Sequence, residues 1–208
     1  MKTIVTKTDT DFAAQVIKNG GLAAVPTETV YGLSANGFDA DAVEKIYEVK
    51  LRPEAKPINL LVRNMADAEK VCRDIPSGAY RLAGEFWPGP LTMIFKRREN
   101  VPYIVTAGGE TLGVRAPKCD ITLELIEKCG VPLATPSANI SGEKSAVTCG
   151  EVLRYFDGKI ECVIDGGRCE LETASTIVDF TGDKPRILRR GVITKSDLER
   201  VLNEEVLE

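Results

Sequence analysis

Four short stretches concentrate hydroxyl and amide side chains: PTETVYGL at 26–33, TLGVRAP at 111–117, TPSANISG at 135–142 and ASTIVD at 174–179. Each combines a short strand-like segment with a polar loop. Serine, threonine and asparagine both donate and accept hydrogen bonds. Such a set suits a zwitterionic amino acid, a ribose or a phosphate. In α/β sheets, ligands collect at strand ends, where loops supply amides and hydroxyls. Taken one at a time, the stretches have ordinary explanations. Threonine is a strand former, and Ser-Ala-Asn makes turns. They form a site only if they converge in space, which composition does not show.

The basic counterpart is KLRPEAKP at 50–57, with Lys50, Arg52 and Lys56 between prolines. A charge run is ordinarily a solvated face. A proline-stiffened loop also aims cations at a polyanion with little entropy left to lose. Arg115 and Arg189 are isolated arginines at expected strand ends. The chain has no histidine, so Ser-His and Cys-His nucleophile pairs and His-based metal sites are excluded, together with the usual base near neutral pH. Any catalysis here works by positioning and electrostatics. Six cysteines at 72, 119, 129, 149, 162 and 169 form no C-x-x-C pair. They read as reduced thiols, with no zinc cluster. Neither a P-loop nor G-x-G-x-x-G occurs.

The elements that must position these residues are mixed along the chain. Strands are expected at 4–5, 22–25, 58–62, 91–96, 131–134, 162–164, 175–180 and 186–188, and 108–115 reads as a glycine-rich turn feeding a short strand. Helices are expected at 11–19, 41–49, 66–72, 121–128 and 152–156, with a last one capped at Thr194 or Ser196 and running to Leu202. A helix-like pattern is expected after the PTET turn. With 208 residues, 43% hydrophobic, and 27 basic against 31 acidic side chains, the chain has material for a full core and is no polycation. No secretory leader or membrane span is read, and the expected location is cytoplasmic. One α/β domain with a mixed sheet, residues 1–208 without a second C-terminal domain, is the expectation.

In this order, the stretches AAVPTETVYGLSANG, KLRPEAKPINLLV, GVRAP, TPSANISG and STIVDF…ILRRG, from about 10 to 191, resemble the YrdC-type threonylcarbamoyl-AMP synthase family in its single-domain form. The resemblance implies an α/β fold, a twisted open mixed sheet with helices enclosing a positively charged cavity. It implies a nucleotidyltransferase that joins L-threonine, bicarbonate or carbon dioxide, and ATP into threonylcarbamoyl-AMP, releasing pyrophosphate. A tRNA threonylcarbamoyl transferase complex then uses the product beside the anticodon. Mg²⁺ comes with ATP, no organic cofactor or membrane is implied, and contact with tRNA or double-stranded RNA is left open.

Carried over by motif, the amino-acid site is Thr29, Tyr31, Arg115, Thr135 and Ser175. The ATP site is Lys50, Arg52, Lys56, Thr111, Ser137, Asn139, Ser145 and Arg189. Arg52, Lys56 and Arg189 have the electrostatic role, and no residue is assigned as a covalent catalyst or metal ligand. One departure stands out: many members have a histidine where this chain has Leu61. Two other classes compete with this reading. A non-catalytic RNA-binding module disagrees with the acidic balance and with the lack of aromatics on basic strands. A carbamoyl-phosphate-dependent transferase is expected to be longer and to carry further domains.

Overall fold

A computed structural model describes residues 2–208. Its centre is one twisted mixed sheet. The strands are β1 (Ile4–Thr6), β2 (Ala23–Val25), β3 (Gly32–Asn36), β4 (Leu60–Leu61), β5 (Cys72–Arg73), β6 (Leu91–Arg97), β7 (Thr111–Arg115), β8 (Leu133–Ala134), β9 (Cys162–Ile164), β10 (Thr176–Asp179) and β11 (Arg186–Arg189). Their spatial order is β1-β9-β2-β3-β8-β4-β7-β6-β10-β11, with β5 added beside β6. Pairs β1–β9, β2–β9, β4–β7 and β6–β10 are parallel, and the other pairs antiparallel. The helices are α1 (Thr10–Lys18), α2 (Ala40–Lys50), α3 (Met65–Ala68), α4 (Ser77–Phe86), α5 (Asp120–Cys129), α6 (Cys149–Phe156) and α7 (Lys195–Leu202).

The register decides which side chains share a face. Leu60 lies opposite Val114 and Ala134, and Met93 opposite Val114. These residues join Leu33, Ile46 and Leu82 in the larger core cluster. The alternate positions carry the polar set. Continuing the same register, Asn59 stands between Gly113 and Thr135, while Leu61 pairs with Arg115. Side chains alternate faces along a strand, so Asn59, Leu61, Arg115, Thr135 and Thr92 point one way. On that side α1 and α5 bury Ile17, Leu125 and Ile126 against Val25, Leu61 and Leu133. Each such side chain removed from water contributes on the order of 1.5–3 kcal/mol. The remainder of that face is left to the polar loops.

Three elements differ from the sequence expectation. Gly32–Asn36 is a strand rather than the start of a helical pattern. Its alternation of Leu33 and Ala35 with Ser34 is muted because Ser34, facing the other way, is also fully buried. The expected helix at 66–72 ends at Ala68, and Cys72–Arg73 is a short strand on β6. Helix α4 follows Pro76 and was not anticipated. Its buried stripe of Gly78, Ala79, Leu82 and Ala83 is mostly small residues, which dilutes the periodic signal. No helix among the described residues is long and apolar enough to cross a membrane.

Candidate active site

The polar loops close over the exposed part of the sheet face and leave a cavity of about 760 Å³ including its open mouth. Counted without that open space the cavity is about 170 Å³, below the ~300–1,000 Å³ of typical small-molecule sites. Nine of the residues expected at the site line it: Thr29, Tyr31, Arg52, Arg115, Thr135, Ser137, Ser145, Ser175 and Arg189. The lining therefore carries three guanidiniums and no carboxylate.

The Pro-Thr-Glu-Thr turn is folded by its first threonine. Thr27 Oγ1 accepts from the backbone N–H groups of Thr29 and Val30, at 3.1 and 3.2 Å, and donates to Val30 O at 2.6 Å. A carbonyl only accepts, so the Thr27 hydrogen is committed there. In the 2.8 Å contact between the two hydroxyls, Thr29 is then the donor. Thr29 in turn accepts from Arg115 Nη1 at 2.9 Å. Its remaining lone pair makes Thr29 an acceptor on the cavity wall. Arg115 is fixed on two further sides, by Gly89 O and by the carboxylate of Glu28. Burial pulls its pKa down from the ordinary value and Glu28 opposes that pull. Glu28 cancels much of the Arg115 charge, and two of the five N–H groups remain uncommitted in this arrangement.

The other two arginines have no acidic partner among the described residues. Arg189 donates through Nε to Ser175 O at 2.9 Å and through Nη2 to Ser175 Oγ at 3.0 Å. Ser175 Oγ also meets Thr92 Oγ1 at 2.8 Å. Burial lowers the Arg189 pKa, and the neighbouring Arg115 adds to that. Arg52 follows Leu51, a left-handed residue that closes α2. Its guanidinium donates to the carbonyls of Lys56 and Pro57 at 3.1 and 2.8 Å. Two cations, the half-buried Arg52 and the more exposed Arg189, are held only by neutral groups and favour an anionic ligand.

Four expected contacts are placed elsewhere. Lys50 is 1% exposed and does not line the cavity. It lies under the 135–142 loop, donating to Ser137 O and, at 2.6 Å, to Asn139 O. Burial, helped by Arg52, pushes its pKa down to about 7. Asn139 is used up inside the same loop, bonded to Ser137 Oγ, Ile140 O and Glu143 O at 2.6, 2.8 and 2.8 Å. Lys56 is exposed and is not among the residues that line the cavity. Thr111 is exposed at the far end of β7, opposite Lys96, four residues before Arg115.

Sequence reading missed Glu28, Asn59 and Thr92. Glu28 was legible in principle, because a carboxylate directly after a buried strand needs a cationic partner. Asn59 and Thr92 sit inside apolar strand-like runs, and only the register puts them on the cavity side. Gly32 serves the site by being bare: a Cβ there would stand 2.3 Å from the Thr135 methyl.

The Sua5/YciO/YrdC family model, described as telomere recombination, matches residues 15–191. A Pyrococcus abyssi protein named threonylcarbamoyl-AMP synthase is 44% identical over 192 residues, covering 92% of this chain and 56% of the relative. A Methanocaldococcus jannaschii protein named putative threonylcarbamoyl-AMP synthase is 37% identical, covering 91% of this chain and 89% of the relative. The crystal structure of P. abyssi Sua5 complexed with L-threonine superposes with a TM-score of 0.96 at 40% identity, covering 99% of this chain and 63% of that one. Escherichia coli YciO, at 24% identity and a TM-score of 0.81, shares the fold. The chain spans little more than half the length of the first two curated relatives. On the extent of these matches, the chain belongs to the Sua5/YciO/YrdC family.

Proposed function

We propose that this cavity binds L-threonine, carbon dioxide or bicarbonate, and ATP, and forms threonylcarbamoyl-AMP with release of pyrophosphate. The observation that carries the reading is the convergence in one cavity of hydroxyls from three of the polar loops with three guanidiniums, two of them without an acidic partner among the described residues. The names of the relatives and the threonine-bound neighbour support it.

The chemistry needs no histidine. The threonine ammonium gives a proton to water, the neutral amine adds to the carbon of carbon dioxide, and the nitrogen loses a second proton to water to leave a carbamate. A carbamate oxygen then attacks the α-phosphorus, the bond to the bridging oxygen breaks, and pyrophosphate leaves with the electron pair. Charge accumulates on phosphate oxygens, where fixed cations stabilise it. Arg52 and Arg189 supply that charge. Arg115, held by Glu28, Thr29 and Gly89, offers its uncommitted N–H groups to the amino-acid carboxylate. Thr29, as an acceptor, faces the amine. Mg²⁺ is part of the nucleotide substrate, because guanidiniums and neutral hydroxyls suit phosphate oxygens better than a dication. Holding the reactants together supplies on the order of 7 kcal/mol in favourable cases. The product is consumed by a transferase acting on tRNA, which agrees with a cytoplasmic location.

The test is pyrophosphate release by the purified chain. Release from ATP is expected only with threonine and bicarbonate together, and without RNA. Release that ignores threonine would overturn the assignment.

A further inference from the structure

Asn59 and Ser145 are the two polar side chains lining the cavity that make no hydrogen bond among the described residues, and of these Asn59 stands on the sheet face itself. It lines the cavity, half-buried, one residue before β4. Its backbone carbonyl accepts from Thr135 N at 2.9 Å, which fixes its place beside that residue. Its carboxamide takes no part in the network joining Ser34 with Thr135, Thr92 with Ser175 and Arg189, and Arg115 with Thr29. Room for it comes from Gly113: a Cβ there would lie 2.1 Å from Asn59 Oδ1 and 3.4 Å from the Thr92 methyl. The amide thus stands on the floor between Thr135, Thr92 and the bare face of β7. Two residues on, about 7 Å along the strand, Leu61 presents an apolar side chain to the same cavity.

Resting on the reading that the cavity takes an amino acid, we infer that Asn59 is a specificity-determining residue: its carboxamide hydrogen-bonds the side-chain hydroxyl of a β-hydroxy amino acid, while Leu61 receives the β-methyl. The groups around it divide the ligand by chemistry. A carboxylate goes to guanidinium N–H groups, which bind it more strongly than a neutral amide does. An amine goes to acceptor oxygens such as Thr29. The group left for a neutral amide, which both donates and accepts, is a neutral hydroxyl. A site built to bond a hydroxyl discriminates against the ligand that lacks it, since its own amide then goes unpaired.

The experiment measures binding of threonine and of valine, its near-isostere, by calorimetry with a non-hydrolysable ATP analogue present. Wild type, Asn59→Leu and the smaller Asn59→Ala are compared. Wild type is expected to favour threonine by ~100-fold or more, and both variants by less than ~5-fold, from the loss of one paired polar contact. Affinity for the ATP analogue, measured alone, is expected within ~3-fold of wild type in variants that are folded. A preference for threonine retained in both variants, with the two affinities falling together, shows packing alone and overturns the inference while leaving the function intact. Wild type that binds neither amino acid overturns the proposed function, and the inference with it.

Discussion

Arg115 illustrates how much a single residue is asked to do. It holds Glu28, Thr29 and Gly89 at once, with a side chain 9% exposed, and only a planar fork meets all three. Arg115→Lys keeps the charge but loses the fork. The expected outcome is a threonine KM raised by roughly tenfold or more, the equivalent of one charge-assisted hydrogen bond at ~1.5–3 kcal/mol, with nucleotide affinity near wild type. Steady-state kinetics in each substrate check it, and an unchanged threonine KM would remove Arg115 from the carboxylate role. Lys50 makes a prediction in pH. Its folded-state pKa of about 7 lies below the ordinary 10.5, so the unfolded chain binds more protons between those values. Its contribution to stability therefore rises with pH across that window and is flat below it. Urea denaturation of wild type and Lys50→Met from pH 6 to 10 should show a stability difference that shifts in favour of wild type as pH increases. A flat difference would mean that the ammonium is not depressed.

At the scale of elements, the loop after α2 shows why a charge run is not read by its composition. Arg52 turns inward because the left-handed Leu51 ends the helix, and because the carbonyls of Lys56 and Pro57 hold its guanidinium. Lys56, on the same loop, contributes its carbonyl to that turn and leaves its side chain outside. Arg52→Ala should therefore weaken ATP use far more than Lys56→Ala, by the ~1.5–3 kcal/mol of a lost charge-assisted contact against less than ~1 for an exposed charge. ATP-dependent pyrophosphate release reads the contrast, and equal losses would put Lys56 on the phosphates after all. The motif PTETVYGL was legible as a polar turn on a buried strand. That its Glu28 is the counter-ion of Arg115 was not, because the partners are 87 residues apart.

For the whole molecule, the cavity joins loops from β2, β4, β7, β8 and β10, which lie far apart in sequence and side by side in the sheet. A ligand that bridges them ties the central strands together. At 100 times its Kd it adds about 2.7 kcal/mol to the folded state. For a domain of this size, each kcal/mol raises Tm by roughly 2–4 °C. Threonine or an ATP analogue alone, at 100 times its Kd, should raise Tm by roughly 5–10 °C, and the two together by more than the sum of the separate shifts. Differential scanning fluorimetry checks this, and strictly independent or absent shifts would argue that the two ligands do not share the cavity.

The sequence by itself determined the α/β class and most strand and helix positions, which follow from local rules of apolar periodicity and turn residues. It named the nine side chains that do line the cavity only through the resemblance of its ordered motifs to the YrdC-type family. Tertiary structure decided the rest. Lys50 and Asn139 became ties within and beneath a loop, Thr111 went to the far end of its strand, and Glu28 took the charge of Arg115. Asn59 gained a place on the cavity floor because register set it against Gly113 and Thr135. Each outcome depends on pairing between distant strands, and a one-residue change in register would send these side chains to the opposite face.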